Sequence, residues 1–120
     1  MREVRDRDWD LFCRRLNEFE RGARVTIHLV DSDGSLREIA RDVSLDEIQF
    51  GPHNACSDKI SIRGAGAARH DIIEPMRVQL RGTEDGAAYN AVAIDSETGT
   101  TLLTFHPVIR PEWLQGLELR

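Results

Sequence analysis

The chain has 120 residues, 40% of them hydrophobic and 31% charged, with a net charge of −5 and an isoelectric point near 5.3. That is the size of one domain with one core, and the composition is too apolar for a disordered chain. The acidic balance argues against general binding to nucleic acid or anionic membranes, because phosphate contacts need a positive surface, and no apolar run approaches membrane-spanning length.

The first eight residues, Met1 to Asp8, are charged and lack an apolar centre, unlike a signal peptide. With only two cysteines, Cys13 and Cys56, there is no disulfide framework, and both read as reduced thiols of a cytoplasmic protein. Fifteen arginines stand against one lysine, Lys59, which together with the frequent Ala and Gly suggests a GC-rich bacterial genome.

Trp9, Phe12, Cys13, Leu16 and Phe19 recur at helical spacing and predict an amphipathic helix over about residues 7–21. Asp6 or Asp8 is placed to cap its start, and Gly22 to end it. The period then changes to two. Val25, Ile27 and Leu29 predict a strand, Asp31-Ser-Asp-Gly34 a turn and Ser35 to Ala40 the returning strand. Val43 to Phe50 reads as a third strand, with Leu45-Asp-Glu-Ile48 able instead to begin a helical turn. Further strands are expected around Ile60 and Ile62, over Arg69 to Glu74, through Met76, Val78 and Leu80, over Ala88 to Asp95 and over Thr100 to His106, with short turns between. Pro111 suits the first position of a short helical turn.

The whole is one domain of residues 1–120: helix, β-rich region over 24–106, and an apolar tail over 107–120. The fold class is α+β, a helix on a curved, mostly antiparallel sheet of seven or eight strands, either open or partly closed into a barrel. The core is expected to hold Trp9, Phe12, Leu16, Phe19, Val25, Ile27, Leu29, Ile60, Ile62, Val78, Leu80, Val92, Ile94, Leu103 and Phe105.

Motifs for chemistry are weak. Asp31-Ser-Asp-Gly34 lacks the spacing of a calcium loop and suits a tight turn. His53 and Cys56 form an H-x-x-C pair without the second pair that a zinc site needs. Gly64-Ala-Gly66 has Arg69 where a dinucleotide fingerprint has its third glycine. No serine lies in a nucleophile elbow, and Cys13 on an apolar helix face reads as a small core residue. His70-Asp-Ile-Ile-Glu-Pro75 reads either as a functional histidine beside acids or, as preferred here, as a strand end at which Pro75 blocks further pairing and a hydrogen bond holds His70.

The opening helix with Trp9, Phe12 and Leu16, the Asp33-Gly34 hairpin and the His70-x-Ile72-x-x-Pro75 stretch leading into Met76-Arg77-Val78 resemble a family of short uncharacterised bacterial proteins, classed as a domain of unknown function. The resemblance covers most of residues 4–106. It implies a cytoplasmic bacterial origin and no particular activity.

No catalytic residue, metal site or cofactor is expected, and the reading leans away from an enzyme. The leading expectation is a non-enzymatic cytoplasmic binding or protein-interaction domain that self-associates through its tail, where Trp113, Leu114, Leu117 and Leu119 need a cover. A homo-oligomer or a protein partner is expected, and no nucleic acid or membrane. The alternative is a small-ligand or anion-binding β-barrel using an arginine face of Arg63, Arg77 and Arg81, strand residues expected to point outward. A weaker third reading is a hydrolase or metal enzyme built on His53, Cys56 and His70.

Overall fold

The computed structural model describes residues 2–120. One helix, α1 (Trp9–Glu20), packs on an antiparallel sheet of eight strands: β1 (Arg2–Val4), β2 (Arg24–Asp31), β3 (Leu36–Pro52), β4 (Asp58–Gly64), β5 (Arg69–Ile73), β6 (Arg77–Gly82), β7 (Tyr89–Ser96) and β8 (Gly99–Ile109). Their order across the sheet is β1-β6-β7-β8-β2-β3-β4-β5, and the sheet does not close into a barrel. The α+β reading and the strand count are borne out. No helix among the described residues is long and apolar enough to cross a membrane.

The curvature comes from β3. Its first half pairs with β2 (Val25 with Val43, Val30 with Leu36), and its second half pairs with β4 (Leu45 with Gly64, Phe50 with Ile60). The sequence reading split this stretch into two strands; the chain instead runs through a bend. Asp42 takes a positive φ of 50° there. The bend is satisfied by side chains: the Thr26 hydroxyl accepts from the Asp42 N–H at 3.0 Å and Arg24 donates to the Asp42 carbonyl at 3.0 Å. β4 and β5 therefore turn back over the inner face, and His70 on β5 reaches Thr101 on β8, with 3.0 Å between Nε2 and the hydroxyl.

Alternation places one side chain in two inside. Val25 and Ile27, Ile60 and Ile62, Val78 and Leu80, Val92 and Ile94, Leu103 and Phe105 are buried with Trp9, Phe12 and Leu16 of α1. Two expectations fail. Phe19 is 41% exposed, and the inner stripe of α1 runs instead from Leu16 to Glu20, which is 0% exposed. Met76 lies outside β6 and its side chain is 60% exposed, although its N–H already donates to the Asp95 carbonyl of β7 at 2.7 Å.

Gly22 follows the helix with φ of +85°, as a terminator should. Neither aspartate caps its start. The Asp6 carboxylate accepts from the Arg7 N–H at 2.8 Å, and that of Asp8 from the Glu118 N–H at 3.1 Å. A short 3-10 turn at Asp6–Asp8 precedes α1, and another at Pro111–Leu114 follows β8, as Pro111 predicts.

Candidate interaction site

An open sheet has loose edges, and each unpaired N–H and C=O is a potential binding group. Four edges arise here: one is the side of residues 36–43 turned away from β2, which no strand among the described residues pairs, and the other three lie at β1, along the second half of β3 and at β5. Of these three, the first belongs to β1. Glu3 exchanges two hydrogen bonds with Arg120, both 2.9 Å, and Val4 bridges Leu119, so the C-terminal tail forms the next strand in miniature. The tail is strapped down along its length. Trp113 stacks on Phe19 with ring centroids 5.2 Å apart, and Arg15 donates to the Trp113 carbonyl at 3.2 Å. Leu114 is buried, Leu117 and Leu119 pack against the core, and Glu118 pairs with Arg5 at 3.0 Å and with Arg7. The domain itself thus covers the apolar tail residues, and the exposed patch that motivated tail-mediated self-association is not there.

The second edge is the half of β3 beyond Ser44, where β2 has not yet begun. Gly22 N–H donates to Leu45 O and Leu45 N–H to Ala23 O, both at 2.8 Å. Further along, the Asn17 side chain takes both polar groups of Ile48: its Nδ2 donates to the carbonyl at 2.8 Å and its Oδ1 accepts from the N–H at 2.8 Å. An amide side chain from α1 stands in for a neighbouring strand.

The third edge is β5, and it is uncovered. Glu74 N–H donates to Asp58 O and Gly64 N–H to Ala68 O, both at 2.9 Å, which fixes the phase of the β4–β5 ladder. In an antiparallel pair the bonds alternate sides. His70 and Ile72 therefore face β4, while the N–H and C=O groups of Arg69, Asp71 and Ile73 face away. No backbone partner among the described residues meets them. The same three side chains lie on the outer face, each at least partly exposed, and Ile73 is 40% exposed. Arg69 reaches Asp71 only at 3.4 Å, a long contact. Burial works against the Asp71 charge, but hydrogen bonds from Ser61 and Arg69 and the charges of Arg69 and Lys59 hold its carboxyl below the usual range.

The other candidate residues do not assemble. Arg63 on β4 pairs with Glu47, and Arg77 on β6 with Asp95 at 2.9 Å. Arg77 and Arg81 share the outward side of β6, but β7, β8, β2 and β3 separate them from Arg63 on β4, so the three do not converge. His53 and Cys56 sit in a tight loop in which Asn54 Oδ1 accepts from the Cys56 N–H at 2.8 Å and the Ser57 hydroxyl at 3.1 Å. Among the described residues no three metal-ligating side chains converge. Burial, helped by the Asp10 charge, pushes the Cys13 thiol up to about 12, so it holds its proton and is no nucleophile at neutral pH.

Burial lowers the His70 imidazole's pKa; Asp71 opposes this and Arg37 adds to it. The Asp31–Gly34 segment is the hairpin turn, with Gly34 N–H on Asp31 O at 2.8 Å and Gly34 at φ +89°. The Gly64–Gly66 amides serve the β4–β5 turn, Ala65 N–H meeting Ser44 O at 2.9 Å, and a strand follows.

Three features escape the sequence reading. β1 is too short to show a period. Asn17 and Glu20 lie four residues after Cys13 and Leu16, so helical spacing does place them on or beside the inner stripe; polar residue type is what hides them. Among the described residues neither carboxylate oxygen of Glu20 has a hydrogen-bond partner, and burial pushes it up to about 7.

No protein-family model, curated protein or solved structure matches the chain, so the functional reading rests on this geometry.

Proposed function

We propose that this chain is a non-enzymatic, cytoplasmic protein-interaction domain that takes an extended segment of a protein partner as an added strand on the free edge of β5. The contrast between edges carries this reading. Two are closed from within, by the tail and by Asn17; of the two left open, β5 offers at Arg69, Asp71 and Ile73 a short row of main-chain donors and acceptors beside side chains of both charges and an exposed isoleucine. Main-chain hydrogen bonds at such an edge give affinity, and the outward side chains give selectivity. Among the described residues no three metal-ligating side chains converge, and four strands separate Arg63 from Arg77 and Arg81.

The test selects peptides from a displayed library on the folded protein, then maps them by amide hydrogen exchange. Selected peptides are expected to slow exchange at Arg69, Asp71 and Ile73. Peptides that protect other strands, or none, overturn the reading.

A further inference from the structure

We propose that the strand added to β5 is β5 of a second copy of this chain, paired antiparallel about a two-fold axis at His70, with Arg69 of each copy opposite Asp71 of the other. This rests on strand addition at β5 and names its partner.

The register follows from two constraints. On β5 the free edge groups belong to Arg69, Asp71 and Ile73, so two copies paired through β5 bond where these alternate residues meet one another. A two-fold pairing of β5 with itself then has its centre at His70, Asp71 or Ile72. Centred on Asp71, the two Asp71 carboxylates stand directly opposite, an unfavourable pair, and Arg69 faces Ile73. Centred on Ile72, Asp71 faces Ile73, and Arg69 falls opposite Pro75, which has no N–H to give.

Centred on His70, Arg69 faces Asp71 twice, at positions where both residues exchange main-chain hydrogen bonds. Ile73 then lies opposite the small Ala67. The two His70 rings meet at the axis from the inner side, where each is engaged with Thr101 at 3.0 Å.

Short length and charge usually guard a free edge against aggregation. The guard here has a particular pattern. Arg and Asp, two residues apart on one face, form a charge sequence that is complementary to its own antiparallel copy. It rejects registers that set like charges opposite and favours one. The loose 3.4 Å contact between Arg69 and Asp71 within a chain leaves Arg69 able to turn to the facing copy, whose Asp71 can accept from it while keeping its bond from Ser61.

Sedimentation equilibrium of the full chain in reducing buffer tests this. The wild type is expected to dimerise, with weaker association as salt rises. Arg69→Asp and Asp71→Arg should each weaken dimerisation about tenfold, the effect of placing like charges opposite. An equimolar mixture of the two variants should restore it, and so should the double variant Arg69→Asp with Asp71→Arg. Circular dichroism of each variant confirms that these exposed substitutions leave the fold intact.

A wild type monomeric to millimolar concentration overturns the self-pairing, as does a dimer that none of the variants weakens. A double variant that stays weak while Asp71→Asn strengthens the dimer overturns the register in favour of one centred on Asp71. Peptide selection separates the two levels: a monomer whose selected peptides still protect the β5 amides loses only the second-copy partner. Peptides that avoid β5 remove strand addition itself.

Discussion

The two ends of the sheet solve the same problem in opposite ways. At β1 the chain returns on itself, and Glu3, Val4, Leu119 and Arg120 complete a ladder that Leu114 and the Phe19–Trp113 stack anchor to the core. At β5 nothing returns, and the outer row carries Arg69, Asp71 and a partly exposed Ile73. The difference separates two roles for the same backbone groups: at one end they are spent on stability, at the other they remain available for recognition. The tail, which from its apolar residues alone looks like an adhesive surface, is what makes the β1 end inert.

That contrast can be broken in order of effect. Removing residues 111–120 should cost about 4 kcal/mol or more, since it takes away buried Leu114 and leaves the β1 edge bare; thermal unfolding at several protein concentrations reads this, and an unchanged midpoint would mean that the closed end contributes nothing. Next comes the pH dependence of Glu20. Its carboxyl is raised in the folded chain from an ordinary 4.5 to about 7, so the folded state holds a proton that the unfolded state has lost. Stability should be greatest below about pH 4.5 on this account and fall as pH rises to about 7, by about 3 kcal/mol in all. Glu20→Gln should flatten that slope, as urea titrations across the range will show; an unaltered slope would place the proton elsewhere.

Asn17→Ala should cost about 2 kcal/mol by orphaning the Ile48 N–H and C=O at the second closed edge, measured by chemical denaturation. Smallest is Asp71→Asn on the open edge, within about 0.5 kcal/mol for the monomer, because an exposed ion pair adds little. A large loss there would show that β5 is a structural edge and would erase the contrast.

Much of the fold was legible in the residues. The Trp9–Leu16 stripe and the alternation from Val25 to Phe105 gave the helix, the layers and most of the core, since burial is periodic and periodicity is local. The misreadings have a common cause, which is that polar or single residues decided them. Phe19 has helical spacing fit for the core, yet it turns outward to meet Trp113, a contact 94 positions away along the sequence. The continuity of β3 depends on Asp42 accepting a positive φ with help from Thr26 and Arg24, which no alternation reveals. The β5 edge was invisible because strand order is a non-local property: Arg69 to Ile73 reads as a strand, but only the sheet topology says that one of its sides is bare.

Asn17 has a consequence beyond its two hydrogen bonds. Most of the contact between α1 and the sheet is made by Trp9, Phe12, Cys13 and Leu16, and apolar packing has no strict direction. A hydrogen-bonded amide has one, and the Trp9 indole N–H, which donates to the Val4 carbonyl at 3.1 Å, is a second directional tie. By meeting both groups of one peptide residue, Asn17 acts as an index mark: it fixes how far the helix is slid along β3 and how it is rolled about its own axis, since a shift of one turn would forfeit both bonds together. The helix is held firm by its apolar face and held in place by two directional side chains, Trp9 at its start and Asn17 along its length.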